Sequence, residues 1–404
     1  MKKKLEVAFL LGVLLLVLPL QNVVAKKVLE KTPTNKQLKT EIKQMTLDEK
    51  IGQMYVISST GDVQQAQAAI KDYHLGGIAL FGTDFENQTR TQFKQKTAGL
   101  QKSAQIPLLI GTDQEGGEVS RLSQGPNFTN KREFPAPQEV YQEKGLKGVT
   151  QEAKQTAKIL HDLGVNWNFA PVADVTQNKD SFIYARTLGK GYKKTGKYVG
   201  KVVETTRKQK LATSLKHFPG YGSTDDTHTG IAKTDRSLKD FKKNDFIPFK
   251  AGIDKGADSV MVSHIIISDV DPKLPPSSLS PKVHHLLRQD LNFKKVIVSD
   301  DLSMGAIKDY SKQHKIKPDV AAVKAGNDIL LSSSYADGIP AIKEAIQNKQ
   351  ISEKNIDRSV YRILKMKRSL GMLKDNRSSA MYPQSKIKKV TDIVFTEVRN
   401  ILND

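Results

Sequence analysis

The stretch Leu211-Ala-Thr-Ser-Leu-Lys-His-Phe-Pro-Gly220 joins an apolar run to a Lys216-His217 pair, then to a proline and a glycine that stop regular structure. The next ten residues, Tyr221-Gly-Ser-Thr-Asp-Asp-Thr-His-Thr-Gly230, form a loop carrying Asp225, Asp226 and His228. An apolar run that hands over titratable groups at its C-terminal end and opens into a loaded loop has the form of a site on top of a strand. The competing reading is a polar surface turn, because Asp, Ser, Thr and Gly are ordinary turn residues. Recurrence of the pattern along the chain decides between the two.

It recurs. Apolar runs occupy residues 53–57, 77–81, 107–110, 165–170, 211–215, 259–262, 295–298 and 328–331. They are short and apolar on both faces, as strands of a helix-covered parallel sheet are. The segments between them, such as 63–73, 150–163, 194–208 and 238–251, space their apolar residues helically. Eight strand–helix units predict a (β/α)8 TIM-type barrel forming a single catalytic domain. A doubly wound open sheet is the alternative, but no Gly-rich phosphate loop succeeds the first run. A barrel carries its functional residues at the C-terminal strand ends. There stand Gly111-Thr-Asp-Gln-Glu-Gly-Gly117, Pro171-Val-Ala-Asp174, Lys216-His217, Ser263-His264 and Ser299-Asp300-Asp301, and the strand starts carry nothing comparable. This one-ended distribution predicts an enzyme and argues against a non-enzymatic wall-binding protein.

The barrel is expected over residues 45–373, opened by a capping box at Thr46-Leu-Asp-Glu49 and closed by helices at 339–347 and 355–370. Residues 1–25 combine Lys2-Lys3-Lys4, an apolar run over 7–20 and Val23-Val24-Ala25, the pattern of a secretory signal peptide. An uncleaved N-terminal anchor is the alternative, although the run is short for a membrane span. No second long apolar run exists, so a secreted or cell-wall-associated chain with no membrane span in its mature part is expected. Residues 26–44 read as a linker; 374–404 read as a further linker and an amphipathic helix packing on the barrel.

The 404 residues carry a formal net charge of +21, which predicts an anionic neighbour. The lysines are dispersed, with no arginine-rich block and no aromatic interleaving, so an acidic cell-wall polymer fits better than nucleic acid. Cysteine is absent, which excludes a disulfide framework, a thiol nucleophile and a Cys-ligated metal. Trp167 is the only tryptophan, which argues against a long aromatic platform for polysaccharide.

Asp300, held at a strand end, suits a nucleophile or general base. Its bland alternative is an N-cap for the next helix, a task Asp301 or Ser303 could perform. Asp226 and His228, two apart on an extended loop, would share one side and hydrogen-bond. Such a carboxylate fixes the imidazole tautomer and favours its protonated form, giving a general acid near neutral pH. Asp300 with this dyad fits retaining glycoside hydrolysis with an imidazole in place of the usual carboxylic acid. Asp113, Arg121, Arg186 and Lys216 are suited to sugar hydroxyls and an acyl oxygen. The runner-up chemistry is a metal site from His217, Asp225, Asp226, His228 and His264, although neither a His-x-His pair nor a His-Glu-x-x-His helix is present.

Lys216-His-Phe-Pro-Gly220, Asp226-Thr-His228, Val298-Ser-Asp-Asp-Leu-Ser-Met304 and Asp113-Gln-Glu-Gly-Gly117 with Arg121 together resemble glycoside hydrolase family 3, and within it the bacterial β-N-acetylglucosaminidases (β-hexosaminidases). Gly76-Gly-Ile78, Asn168-Phe-Ala-Pro-Val172, Met261-Val-Ser-His264 and Lys324-Ala-Gly326 match as well, so the resemblance spans residues 45–373. It implies a barrel and release of terminal non-reducing β-linked N-acetylglucosamine, with retention, from peptidoglycan fragments (muropeptides) or related glycans. By match to the motifs, Asp300 is the nucleophile forming a glycosyl-enzyme, and His228 is the acid/base with Asp226 as its partner. Asp113, Arg121, Arg186, Lys216 and His217 match the sugar contacts. No metal or organic cofactor is implied. The β-glucosidase branch looks to a carboxylic acid in a C-terminal α/β sandwich domain, and too few residues come after this barrel to build one. Tyr221 stands where the family commonly has histidine, the loop between Gly222 and Asp226 is about one residue shorter than in many members, and Arg186 lies in Ala-Arg-Thr-Leu-Gly. The family's mobile loop suggests Gly220 and Gly222 as hinges, with proline at both expected to lower turnover without unfolding. The same fold transferring the sugar to phosphate is the alternative, because an imidazole does not repel an incoming anion.

Overall fold

All eight apolar runs contribute to strands: β1 Tyr55–Ser58, β2 Gly77–Leu80, β3 Leu109–Thr112, β4 Trp167–Asn168, β5 Ala212–Phe218, β6 Ser259–Val262, β7 Val296–Ser299 and β8 Leu330–Leu331. This is a computed structural model, and it describes residues 32–373. The expected signal peptide and terminal amphipathic helix lie outside the described residues. The strands are parallel in the order β7-β6-β5-β4-β3-β2-β1-β8. A bridge between Val298 and Ile329 joins the two ends of that order. The sheet is therefore a (β/α)8 barrel, and the open-sheet alternative falls because its two edges meet. No helix of the described residues is long and apolar enough to cross a membrane.

The strands keep register across the barrel, with Val56 beside Gly77, Gly77 beside Leu109, and Gly111 beside Trp167. β4 and β8 are only two residues long, although their apolar runs are longer. An apolar run records burial, not ladder pairing, and Pro171 has no N–H to extend the β4 ladder. β5 is the longest strand, and all seven of its residues are buried. Its pairing with β6 shifts between Leu215 and Phe218, so three steps on β5 match two on β6. This bulge falls at Lys216 and His217, which are strand residues rather than the first of the loop, and a bulge re-aims the side chains it carries.

Inside the barrel the Trp167 indole N–H donates to Ser259 Oγ at 3.0 Å, and the ring meets Phe169 edge-on at 4.7 Å. Gly111 makes room for Phe169, since a Cβ there would lie 2.5 Å from its ring. The lone tryptophan is thus core. On the outside, Val199, Val203 and Phe249 pack against Leu215 and Val260. That approach depends on Gly252, where a Cβ would lie 2.7 Å from Leu215.

Several elements differ from expectation. The predicted linker over 26–44 contains a helix, Asn35–Gln44. The helix read at 150–163 belongs to Pro137–Asp162, broken by non-helical Gly145. The segment 238–251 is two helices, Leu238–Lys243 and Phe246–Asp254, parted near the buried Asp245 that pairs with Arg236. Two short strand pairs carry no sequence signal: Gln114–Gly116 with Val119–Ser120, and Lys233–Thr234 with Ile266–Ile267. The capping box forms as expected, with Glu49 N–H donating to Thr46 Oγ1 and Thr46 N–H to Glu49 Oε2.

Candidate active site

The loop after β3 is held in place by β4. Asn168 accepts from the Gln114 N–H and donates to the Gln114 carbonyl, both at 2.9 Å. Gln114 in turn donates to Ser120 Oγ and accepts from the Leu122 N–H. This frame fixes the turn that presents Asp113, Glu115 and Arg121. Lys216, from the β5 bulge, reaches under it and donates to Asp113 Oδ1 at 2.5 Å and to Glu115 Oε1 at 2.6 Å. Arg186, on the short helix Tyr184–Arg186, grips the two Glu115 oxygens at 2.9 and 2.8 Å. Arg121 Nη2 stands 3.9 Å from Asp113 Oδ2, and its Nε is buried without a protein partner.

The Glu115 side chain is 1% exposed. Burial pushes its carboxyl up, but the Arg186 and Lys216 charges outweigh burial and hold it well below the usual carboxylate range. Burial alone would lower the Lys216 ammonium; Asp113 and Glu115 reverse that and raise it. Lys216 therefore stays charged, with Glu115 as buried counter-ion and Asp113 at the open edge.

His217 is fixed from both sides. Its Nδ1–H donates to Asp174 Oδ2 at 2.7 Å, and its Nε2 faces Arg186 Nη2 at 3.2 Å. A guanidinium can only donate, so Nε2 accepts and the ring proton sits on Nδ1. Asp174 also accepts from the backbone N–H groups of His217 and Tyr221.

Asp300 ends β7. Its Oδ1 accepts from the Asp301 N–H at 2.9 Å. Burial favours the neutral acid here, but the His217 and His264 rings, the Asp301 N–H and the Lys216 ammonium prevail, so its pKa lies below the ordinary aspartate value. Asp300 is not a helix cap: the next helix, Gly305–His314, starts after Met304 with no side-chain cap, and Asp301 accepts instead from Ser303 N–H. His264 Nε2–H donates to the Asp301 carbonyl while Nδ1 accepts from Ser278 Oγ. Burial pushes the His264 pKa down.

On the loop after β5, His228 Nδ1 and Asp226 Oδ1 are 2.6 Å apart, and the His228 N–H also donates to that oxygen. The imidazole is 58% exposed, with Nε2 carrying no protein partner. The hydrogen bond expected between Asp226 and His228 is present.

The structure gathers Asp113, Arg121, Arg186, Lys216 and His217 into one charged and hydrogen-bonded cluster, and brings the charge of Asp300 to bear on Tyr221 and His264 beside it. It does not gather the metal alternative. Both nitrogens of His217 and of His264 are committed to protein partners, Asp225 is exposed, and among the described residues no group of three or more such side chains is arranged to hold a metal ion. The proline test of the hinge fails on geometry. Gly220 and Gly222 have φ of +124° and +59°, which proline cannot adopt, and a Cβ on Gly220 would lie 2.5 Å from Asp245 Oδ1. Sequence reasoning did not single out Glu115 and Asp174 as site residues. Both stand in strand-end motifs, so position was the available signal, whereas their partners arrive from distant parts of the chain.

Residues 46–366 match the Glycosyl hydrolase family 3 N terminal domain. A beta-hexosaminidase from Xanthomonas campestris pv. campestris (strain B100) is 32% identical over 234 residues, 57% of this chain and 70% of that protein. A glycoside hydrolase family 3 beta-N-acetylglucosaminidase structure from Paenibacillus sp. str. FPU-7 superposes with a TM-score of 0.75 at 31% identity, over 81% of this chain but 63% of that one. A beta-N-acetylhexosaminidase structure from Beutenbergia cavernae DSM 12333 gives 0.69 at 27% identity, over 80% of this chain and 98% of that one.

Proposed function

The chain belongs to glycosyl hydrolase family 3, and on that premise we propose that it is a retaining exo-β-N-acetylglucosaminidase acting on peptidoglycan fragments or related glycans. The observation that carries this reading is the pairing of a half-buried, ionised strand-end Asp300 with an exposed imidazole whose inner nitrogen is bound to Asp226. Asp113, Arg121, Lys216, Arg186 and His217 bind and orient the terminal sugar, with Asp113 at the open edge accepting from hydroxyls. Asp300 Oδ2, the oxygen not engaged by Asp301 N–H, attacks the anomeric carbon while protonated His228 gives its Nε2 proton to the leaving oxygen. Asp226 orients the ring and stabilises its cationic form. The neutral ring then takes a proton from water as that water hydrolyses the glycosyl-aspartate. Relatives named beta-hexosaminidase and beta-N-acetylglucosaminidase support the choice of an acetamido sugar.

The deciding experiment compares nitrophenol release from the β-N-acetylglucosaminide and the β-glucoside, with and without phosphate. A strong preference for the acetamido sugar, loss of turnover in Asp300→Ala, and no phosphate dependence are expected. Activity on the glucoside alone would overturn the sugar assignment, and a phosphorylated product would replace hydrolysis by phosphorolysis. Secretion and retention on an anionic wall polymer belong to the same proposal, supported by the N-terminal pattern and the net charge of +21.

A further inference from the structure

The helix Gly305–His314 starts a few residues after the Asp300 strand end and has no side-chain N-cap. Its first N–H groups need acceptors. The catalytic loop supplies them: Gly305 N–H donates to the His228 carbonyl at 3.3 Å, and Ala306 N–H to the Thr227 carbonyl at 3.1 Å. This approach is possible because residue 305 has no side chain. A Cβ there would lie 2.7 Å from the His228 oxygen and 3.1 Å from both Gly230 N and the Thr229 carbonyl carbon. The backbone of Gly305 is not in the left-handed region, so proximity, and not conformation, is what calls for glycine.

A second contact holds the same loop from the other side. The Tyr221 and Thr227 hydroxyls are 2.6 Å apart, both residues buried. The Tyr221 N–H is tied to Asp174, and its ring meets the His217 ring edge-on at 5.1 Å. Burial, aided by the charge of Asp300, raises the Tyr221 phenol well above its ordinary value, so it stays a neutral hydroxyl. Thr227 lies between Asp226 and His228, and its hydroxyl and carbonyl are both bound.

We propose that Gly305, Thr227 and Tyr221 form a latch that positions the acid/base loop on the helix after the nucleophile, with Thr227 as its pin. They are positioning residues: their contacts are to the loop, and they act through the placement of His228. The inference rests on the reading of His228 as the acid. In the first step the bond from the anomeric carbon to the aglycone oxygen breaks, the bond to Asp300 forms, and the His228 Nε2 proton goes to the leaving oxygen. A dinitrophenolate leaves without that proton, whereas a phenolate needs it.

The test is kcat/KM for phenyl and 2,4-dinitrophenyl β-N-acetylglucosaminides in His228→Ala, Gly305→Ala, Thr227→Val, Thr227→Ser and Tyr221→Phe. His228→Ala should lose about 10²-fold or more on the phenyl glycoside and far less on the dinitrophenyl one. Gly305→Ala and Thr227→Val should reproduce this split at about tenfold or more, Tyr221→Phe should show it more weakly, and Thr227→Ser should restore the phenyl rate. Equal losses on both glycosides, or no loss on either, in both Gly305→Ala and Thr227→Val would overturn the latch. If Gly305→Ala does not fold, as judged by Trp167 fluorescence, Thr227→Val against Thr227→Ser decides alone. Absence of the split in His228→Ala would overturn the acid assignment, and the latch with it. A split in His228→Ala alone would overturn the latch only.

Discussion

Lys216 concentrates the electrostatics of the site. It is buried against Asp113 and Glu115, and its charge helps to hold the Asp300 carboxyl below the ordinary aspartate value. With Asp300 as the proposed nucleophile, its lowered pKa keeps it ionised as pH falls, so the acid limb of kcat/KM should not come from Asp300 at mildly acidic pH. Lys216→Met removes one of the groups that hold it down, and the acid limb should move up in pH as kcat/KM falls. A pH–rate profile measures this, and an unmoved limb would show that Lys216 does not act on the nucleophile. Glu115→Gln keeps the shape but leaves the buried Lys216 and the half-buried Arg186 without their shared counter-charge. The expected cost is about 3 kcal/mol of stability, read from a Trp167 fluorescence melt, together with a higher KM. Gly220→Ala, by contrast, should lose on the order of 2 kcal/mol through the contact with Asp245 and the positive φ.

The last helix of the described residues, Glu353–Ser369, carries a charge at its buried face. Lys367 is 0% exposed, and its ammonium donates to Gln53 Oε1 at 2.7 Å. Burial lowers its pKa to about 7. Between pH 7 and the ordinary lysine range the unfolded chain holds this proton and the folded chain does not. This group therefore adds to stability as pH rises through that window and penalises the fold below it. Lys367→Met abolishes the penalty, so any advantage of the variant over wild type should be largest at pH 7 and shrink towards pH 10. The loss of the donor to Gln53 offsets part of the gain at pH 7, at about 1–3 kcal/mol. Urea titrations of both proteins at the two pH values give the difference, and parallel pH dependences would rule out Lys367 as the source.

At the scale of the whole molecule, the net charge of +21 has a local expression. Lys190, Lys193, Lys194 and Lys243 line one groove with Tyr184 and Gly189, and no acidic residue shares it. None of the four makes an ion pair among the described residues, unlike Lys201 and Lys250 nearby. Changing all four to glutamine should lower the salt concentration needed to elute the protein from an immobilised polyanion while sparing hydrolysis of a small aryl glycoside. Unchanged elution would place retention elsewhere. The barrel itself was legible in the sequence, because burial on both faces of a strand imposes a local apolar pattern that eight runs repeat. So was the Asp226–His228 dyad, whose members are two residues apart and need only their own loop to meet. The roles of Glu115, Asp174 and Gly305 were not. Glu115 meets Arg186 across 71 residues, and Lys216 meets Asp113 across 103. Gly305 matters only because another strand's loop lies against it. Local pattern determines which residues become strands and which ends carry polar groups. Closure of the barrel decides which of those ends become neighbours, and hence which charges are paired, which histidine nitrogen holds its proton, and where the catalytic loop comes to rest.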